Sequence, residues 1–331
     1  MSSGTLLLVL IVAVALGFDF TNGFQDTANA VALTVSTRAL PPRVAVLVAS
    51  AANLGGAFTT VAVAKTVGKG IIDTGLATET TVLAALIGAI IWNLIVWRLG
   101  LPSSSSHALI GGLIGAALVQ SGARGVQWHG IAHRVLIPAV FSPVFGFIAA
   151  FAILLGIYWV FVRATPGAVN HGFRIGQIVS GTWVAYVHGA NDAQKTMGVI
   201  ALALYEHGSI SHFYIPTWVK IAAGLAIGAG TYAGGWRVMR TLGQRIFKID
   251  PPSGFAAQAA GGTILYIATR LGYPVSTTHT ISGAVMGAGA TKRFSAVRWG
   301  VAGNIFRAWV LTIPATALLA AGAYWPLQAI F

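Results

Sequence analysis

Two carboxylates, Asp26 and Asp192, each lie inside a long apolar stretch. Each closes the frame Gly-x-x-Asp, as Gly23-Phe-Gln-Asp26 and Gly189-Ala-Asn-Asp192, 166 positions apart. A carboxylate inside a lipid-shielded helix costs on the order of several kcal/mol unless it is paired, protonated or bound to a cation. Only 7 of the 331 residues are acidic, so two at matching positions read as ligands of a coupling cation or as proton carriers. The plainer alternative is a pair of structural ion pairs with Lys195 or Arg307. Gln25, Asn29, Asn191 and Gln194 surround the carboxylates with amides that can ligate a hard cation or a substrate oxygen.

A second repeated frame offers the opposite charge preference. Arg98-Leu-Gly-Leu-Pro-Ser-Ser-Ser-Ser-His107 and Arg270-Leu-Gly-Tyr-Pro-Val-Ser-Thr-Thr-His279 share R-L-G-x-P-x-S-x-x-H, 172 positions apart. Proline is favoured in the first turn of a helix, so Pro102 and Pro274 are expected to start short half-helices. Free backbone N–H groups, the positive end of the helix dipole and the hydroxyls of Ser103 to Ser106 and Ser276 to Thr278 then make an anion site. Two such tips meeting from opposite sides form a cage for a tetrahedral oxyanion. The alternative is that the hydroxyls merely cap their helices. Arg98 and Arg270 either bring charge to the tips or snorkel to an interface. His107 and His279 read as orienting hydrogen-bond partners.

The elements that position these groups are transmembrane helices. The chain is 56% hydrophobic and 8% charged, and apolar runs such as 44–63, 81–97, 135–162, 218–233 and 301–323 reach or approach bilayer length. Helices are expected near 5–37, 44–64, 80–98, 103–121 and 134–163, and again near 173–204, 217–236, 254–270, 275–291 and 299–325. The fold class is therefore an all-α polytopic membrane protein of two repeats, 1–165 and 166–331, each with a re-entrant helical hairpin and broken helices. With each Pro-Ser motif at a hairpin tip, chain direction flips between the halves and both termini fall outside. Eleven basic residues then face inward (Arg38, Arg43, Arg163, Arg174, Arg237, Arg240, Arg245, Lys248, Lys292, Arg293 and Arg298), against five outward (Lys65, Lys69, Arg124, Arg134 and Lys220). That asymmetry obeys the positive-inside tendency and marks the repeats as inverted rather than parallel.

Several functions are excluded. The net charge of +13 comes from basic residues scattered at helix ends, which is topology rather than a nucleic-acid surface. There are no cysteines, and His129, His133, His171, His207 and His212 read as loop residues, so neither disulfides nor a structural metal site is expected. No Walker-type phosphate loop, G-x-S-x-G elbow or H-E-x-x-H motif occurs, so the chain reads as no enzyme and as not directly ATP-driven. A secondary transporter remains. A channel or anion receptor is the rival class, which uphill accumulation would exclude.

The repeated elements resemble the inorganic phosphate transporter family. Its G-A-N-D-x-A-N-A element looks like Gly23-Phe-Gln-Asp-Thr-Ala-Asn-Ala30 and Gly189-Ala-Asn-Asp-Ala-Gln-Lys-Thr196, and its P-x-S-S/T-S/T-H element matches Pro102 to His107 and Pro274 to His279. The resemblance implies an inverted-repeat homodimer in the inner membrane that imports inorganic phosphate by symport with sodium or protons. By position, Ser104, Ser105, Ser106, Ser276, Thr277, Thr278, Asn29 and Gln194 would hold phosphate, and Asp26, Asp192, Asn191 and Lys195 would serve the coupling cation or proton. Two departures stand out: Gln25 replaces an Asn, and Lys195 replaces the later Asn of the second element. The second element looks like the bacterial low-affinity, proton-coupled branch, which takes phosphate partly as a divalent metal complex. Such a metal would arrive with its substrate at Asp26 and Asp192. An ammonium at Lys195 would stand where a sodium ion otherwise sits, so the expected coupling ion is H+, with Na+ as the alternative and no resident cofactor. A sulfate permease of the same fold is the other alternative.

Overall fold

The computed structural model describes residues 3–331. The first half runs α1 (Ser3–Ser36), α2 (Pro42–Gly56), α3 (Ala62–Lys69), α4 (Glu79–Leu99), α5 (Ser105–Ser121), α6 (Trp128–Ile131) and α7 (Ile137–Val160). The second runs α8 (Pro166–Glu206), α9 (Thr217–Ala233), α10 (Trp236–Arg240), α11 (Pro251–Arg270), α12 (Thr277–Lys292) and α13 (Trp299–Ile330). Five helices, among them those beginning at Gly4, Glu79 and Trp299, are long and apolar enough to cross a bilayer. Large side chains such as Val140, Phe145, Val310 and Leu318 lie exposed on α7 and α13, as a lipid-facing surface requires.

Among the boundaries that differ from the sequence expectation, including α8 starting at Pro166 rather than near 173, two bear on the site. The helix expected over 44–64 is interrupted after Gly56, where Thr59 Oγ1 donates to the Gly56 carbonyl (2.7 Å) and Thr60 Oγ1 accepts from the Ala62 amide (3.2 Å). Hydroxyls that bond the backbone locally compete with the helical ladder, and α3 starts afresh. The prolines do not open the half-helices: α5 is capped by Ser104, which accepts from His107 N (3.1 Å), and α12 by Ser276, which accepts from His279 N (3.2 Å). Serine satisfies an orphan amide that proline cannot, so Pro102 and Pro274 fall in the extended stretch before each cap. The glycine of each R-L-G frame turns the chain out of the preceding helix with positive φ, 67° at Gly100 and 78° at Gly272, a conformation that costs glycine nothing.

α4 with α5 and α11 with α12 form the two hairpins, and each is fastened at its open end. Gln120, near the end of α5, accepts from Thr81 Oγ1 and donates to the Leu76 carbonyl. At the matching place Lys292 binds Asp250, the residue that caps α11 through Ser253. Burial pushes the Asp250 carboxyl up, but Lys292 and Ser253 outweigh it and hold the group below the usual carboxylate range.

The halves interlock reciprocally: α1 packs on α9 while α8 packs on α2, and α5 packs on α13 while α12 packs on α7. The second exchange uses a small-xxx-small stripe on each hairpin, Gly111 with Gly115 and Gly283 with Gly287. A Cβ at Gly115 would lie 2.1 Å from the Ala317 carbonyl oxygen, and one at Gly287 2.1 Å from that of Phe147, so these helices meet backbone to backbone.

Most buried apolar residues among those described fall in two large clusters with a polar band between them, and a small third cluster joins Ala84, Ala116, Ala320 and Tyr324. α1 contributes Leu7 to Phe18 to one cluster and Ala28 to Leu33 to the other, whereas α8 contributes Ala193 to Leu204 to the first and Val184 to Val187 to the second. The two helices thus traverse the interior in opposite directions, and the band between the clusters holds both Gly-x-x-Asp motifs.

Gly287→Ala should lower the melting temperature of the purified protein by a few degrees, the expected scale for about 1–3 kcal/mol of overpacking. Gly156→Ala on α7, where a Cβ meets nothing within 4 Å, should leave it unchanged. Equal melting curves for the two variants would contradict the backbone contact.

Candidate functional site

Asp26 and Asp192 sit on unbroken helices, and the glycine three residues before each lets a neighbouring helix approach. A Cβ at Gly23 would lie 2.3 Å from the Ile227 carbonyl oxygen and one at Gly189 2.0 Å from that of Asn53. The motif's glycine therefore serves the α1–α9 and α8–α2 contacts, which seat each aspartate in the middle of the bundle.

The hairpin tips converge on these aspartates. From the second tip, Thr278 Oγ1 donates to Asp26 Oδ1 (3.1 Å) while accepting from Asn29 Nδ2 (2.9 Å), and Thr277 Oγ1 lies 3.5 Å from Asp192 Oδ1. From the first tip, Ser105 Oγ stands 2.7 Å from Asn22 Oδ1 and 3.1 Å from Asp26 Oδ2, so its single proton serves one or the other. Ser106 Oγ reaches the Val275 carbonyl of the opposite tip (3.3 Å). The imidazoles of His107 and His279 also meet, 4.7 Å between centroids, and His279 stacks on Trp309 at 3.9 Å. These histidines join the tips by ring contact.

Lys195 completes the centre. Its Nζ donates to Asp192 Oδ1 (2.6 Å), to the Val275 carbonyl (3.3 Å) and to Ser106 Oγ. All three ammonium protons have an oxygen acceptor, and the side chain is 1% exposed. One buried cation thus ties α8 to both hairpin tips. Arg307, the other counter-ion considered, is exposed on α13.

The remaining sequence candidates divide. Ser104 and Ser276 turn their hydroxyls onto the helices as caps. Gln194 accepts from the Val63 and Ala64 amides, at 2.9 and 3.2 Å, and so caps α3. Asn191 Nδ2 donates to Thr269 Oγ1 (2.8 Å) and the Tyr273 carbonyl (3.2 Å), bracing the second tip. Ser103 Oγ lies 2.8 Å from Thr312 Oγ1, and Trp309 Nε1 donates to the Pro102 carbonyl (3.1 Å), which fastens the first tip to α13. Both Gln25 side-chain atoms, Asn29 Oδ1 and Asn191 Oδ1 are buried without a partner among the described residues. These are the polar atoms left for a ligand.

Three residues of the centre were missed by the sequence reading. His188 places Nε2 3.8 Å from Asp26 Oδ2 and 3.6 Å from Asp192 Oδ2, while its Nδ1 lies 2.8 Å from Asn53 Oδ1. The Asn53 contact thus fixes the ring so that Nε2 faces both carboxylates. Asp26, His188 and Asp192 thereby offer ligand atoms within 4.8 Å of one another, a spacing that suits a divalent cation. Asn22, 166 positions before His188, donates to Asp192 Oδ2 (3.2 Å). Asp19 lies fully buried beside them. Helical periodicity could have found all three, since they precede the motif aspartates by four or seven residues and so share a face with them.

Arg98 lines an open cavity of about 580 Å³ with Arg237, Arg240 and Arg245, alongside Ala32 and Ser36 on the last turns of α1. Arg237 Nη1 donates to the Arg98 carbonyl at 3.1 Å. Arg270 instead lies over the Tyr266 ring, 5.9 Å from its centroid, as a snorkelling side chain does. The arginine-lined cavity raises local anion concentration on the side where basic residues cluster.

A family profile described as Phosphate transporter family matches residues 22–168 and 162–320. The chain belongs to the phosphate transporter family. A "Probable low-affinity inorganic phosphate transporter" of Rhizobium meliloti (strain 1021) is 51% identical over 96% of this chain and 96% of its own length. Proteins of the same name from Mycobacterium tuberculosis (strain ATCC 25618 / H37Rv) and Bacillus subtilis (strain 168) are 47% and 44% identical, over 96% and 98% of this chain and 77% and 98% of their own. A solved structure titled "The sodium-dependent phosphate transporter" superposes with a TM-score of 0.88 at 27% identity, over 98% of this chain and 100% of that one. The protein is thus a multi-pass membrane phosphate transporter and not an enzyme.

In this phosphate transporter, Lys195→Met should strip Asp192 of its cation and cost about 3–5 kcal/mol, the scale for breaking a buried pair. Less folded protein should reach the membrane. The double variant Asp192→Asn with Lys195→Met should recover the fold, because no charge is stranded, yet carry no phosphate. Thermal melting and uptake of labelled phosphate check both halves, and a transporting double variant would remove the pair from the mechanism.

Proposed function

We propose that this transporter imports inorganic phosphate at low affinity by proton symport, through alternating access between two inverted halves, 1–165 and 166–331, with both termini outside. The opposite traverses of α1 and α8 support the inverted relation. Phosphate would lie between the hairpin tips, held by Ser105, Ser106, Thr277 and Thr278 and by the unpartnered amides of Gln25 and Asn29. The arginine-lined cavity is then the inner vestibule.

One observation carries the choice of coupling ion. The oxygens around Lys195 Nζ, a carboxylate, a hydroxyl and a carbonyl, are the ligand types a hard monovalent cation takes. A tethered ammonium already occupies that shell, so no sodium ion is needed there. The sodium-coupled reading keeps one point in its favour: Asn29, which occupies Lys195's place in the first half, leaves its Oδ1 free next to Asp26. The Asp26, His188 and Asp192 cluster favours phosphate arriving with a divalent cation as shared cargo. Neutralising the anion this way would reduce repulsion from the two carboxylates.

Proteoliposomes loaded at pH 8 and diluted into labelled phosphate at pH 6 should accumulate it above equilibrium, while an inward sodium gradient at equal pH should only equilibrate it. Accumulation driven by sodium without any proton dependence would refute proton coupling, and equal inhibition by excess sulfate would point to a sulfate permease. Ser105→Ala and Thr278→Ala should each raise the half-saturating phosphate concentration roughly tenfold, since each removes one hydrogen bond to a charged group worth about 1.5–3 kcal/mol.

A further inference from the structure

The phosphate centre contains three carboxylates, and only two of them are provided for. Asp26 accepts from Thr278 and faces Ser105, and Asp192 accepts from Lys195 and Asn22. Asp19, two turns before Asp26, is 0% exposed and forms no ion pair among the described residues; its neighbouring donors are the neutral Thr196 hydroxyl and Asn22 amide, neither in good hydrogen-bond geometry. Lys195, the one buried cation nearby, has all three protons committed to other oxygens. Asn22 gives one amide proton to Asp192 and presents its carbonyl to Ser105, which leaves its second amide proton for the side of Asp19.

We infer that Asp19 is the group that takes up and releases the coupling proton. A carboxylate at full burial with no cation bonded to it is the least tolerable form of this residue, and an added proton removes the difficulty. The Thr196 hydroxyl beside Asp19 suits both forms, since it can donate to the carboxylate and accept from the protonated acid. The inference rests on the proton-coupled reading above and adds the residue that reading lacks.

The comparison of the halves singles out the same position. Asp26 matches Asp192, but Asp19 matches Ala185 at the 166-residue offset, just as Lys195 matches Asn29. The two charges that break the repeat, one acid and one base, fall in the same neighbourhood. With Lys195 offsetting one carboxylate permanently, the unmatched Asp19 remains the charge that can be switched.

The charged and titratable groups facing Asp19 are Asp192 and Lys195 on α8, with Asp26 and His188 further along the same polar band. On the other helices packed against α1, Glu79 and Arg98 of α4, Arg43 of α2, Lys220 of α9, Arg237 and Arg240 of α10, Arg270 of α11 and Lys292 of α12 sit at helix ends, and His279 of α12 lies at the second tip. Protonation of Asp19 takes one negative charge out of the centre, so phosphate enters a less repulsive site. On the side of lower proton concentration the Asp19 O–H gives its proton to water, the charge returns, and phosphate is expelled. Asn22 carries the change onward, since it joins the neighbourhood of Asp19 to Asp192 and to Ser105 on the first tip.

The test compares wild type with Asp19→Asn in proteoliposomes, measuring labelled phosphate and the fluorescence of a trapped pH dye together. Asp19→Asn should lose at least tenfold of the accumulation driven by an inward proton gradient and most of the accompanying acidification. Phosphate–phosphate exchange, which needs no net proton movement, should fall less than threefold. Asp19→Glu should keep gradient-driven uptake with a displaced pH profile. If wild type is proton-driven and Asp19→Asn accumulates phosphate and protons equally well, Asp19 is not the carrier. If wild type itself shows no proton dependence, the proton-coupled reading falls and this inference falls with it. Should Asp19→Asn fail to reach the membrane, the Asp19→Glu profile decides: a curve superposable on wild type would overturn the assignment.

Discussion

A single buried ammonium organises the centre of this protein. Lys195 sits where the long helix α8 meets both hairpin tips, and its three protons go to a carboxylate of its own helix, a hydroxyl of the first tip and a carbonyl of the second. In hydrocarbon surroundings a lone cation is intolerable and an unmatched carboxylate nearly so. Lys195 and Asp192 therefore hold each other in place, and the tips are held where the pair needs their oxygens. The apolar clusters on either side of the band serve to exclude water and lipid from that contact.

The two halves contribute to the centre in a related but unequal way. In the first, Asp26 faces hydroxyls from both tips, Ser105 and Thr278, with Asn29 alongside. In the second, Asp192 faces Lys195, Asn22 and Thr277. His188 stands between the carboxylates, oriented from behind by Asn53, which is itself bonded to Thr231 of α9. The chain of contacts from α9 through α2 to His188 places the ring by packing and amide bonding rather than by any charged group.

The sequence made the plan of the molecule legible because its frames encode backbone events. The glycines of R-L-G-x-P mark where the chain must turn with positive φ, the serine two residues beyond each proline marks the helix cap, and the glycine of G-x-x-D marks where another helix touches. Such requirements are local, so they repeat visibly in both halves. Residues whose role depends on who stands opposite were not legible in the same way. His188 and Asn22 became part of the site only because α8 and α1 turn the same faces inward, and Asp19 lies outside every repeated frame. Ser104, Ser276 and Gln194 show the converse: chemistry-bearing side chains beside a site that spend their hydrogen bonds on helix ends. The interruption at 57–61 was hidden because its composition, Ala-Phe-Thr-Thr-Val, is apolar enough to continue a span, and only the threonine hydroxyls divert the backbone.

Both hairpins are closed at their open ends, the first by Gln120 with Thr81 and the Leu76 carbonyl, the second by Lys292 with Asp250. A helix pair joined at the tip by a tight loop and at the base by side chains cannot splay; it is a stiff lever. Each pair packs through its glycine stripe backbone to backbone, the second on α7 and the first on α13. The link between the two helices is neutral in the first hairpin and ionic in the second, so salt and acid act directly on the second link alone.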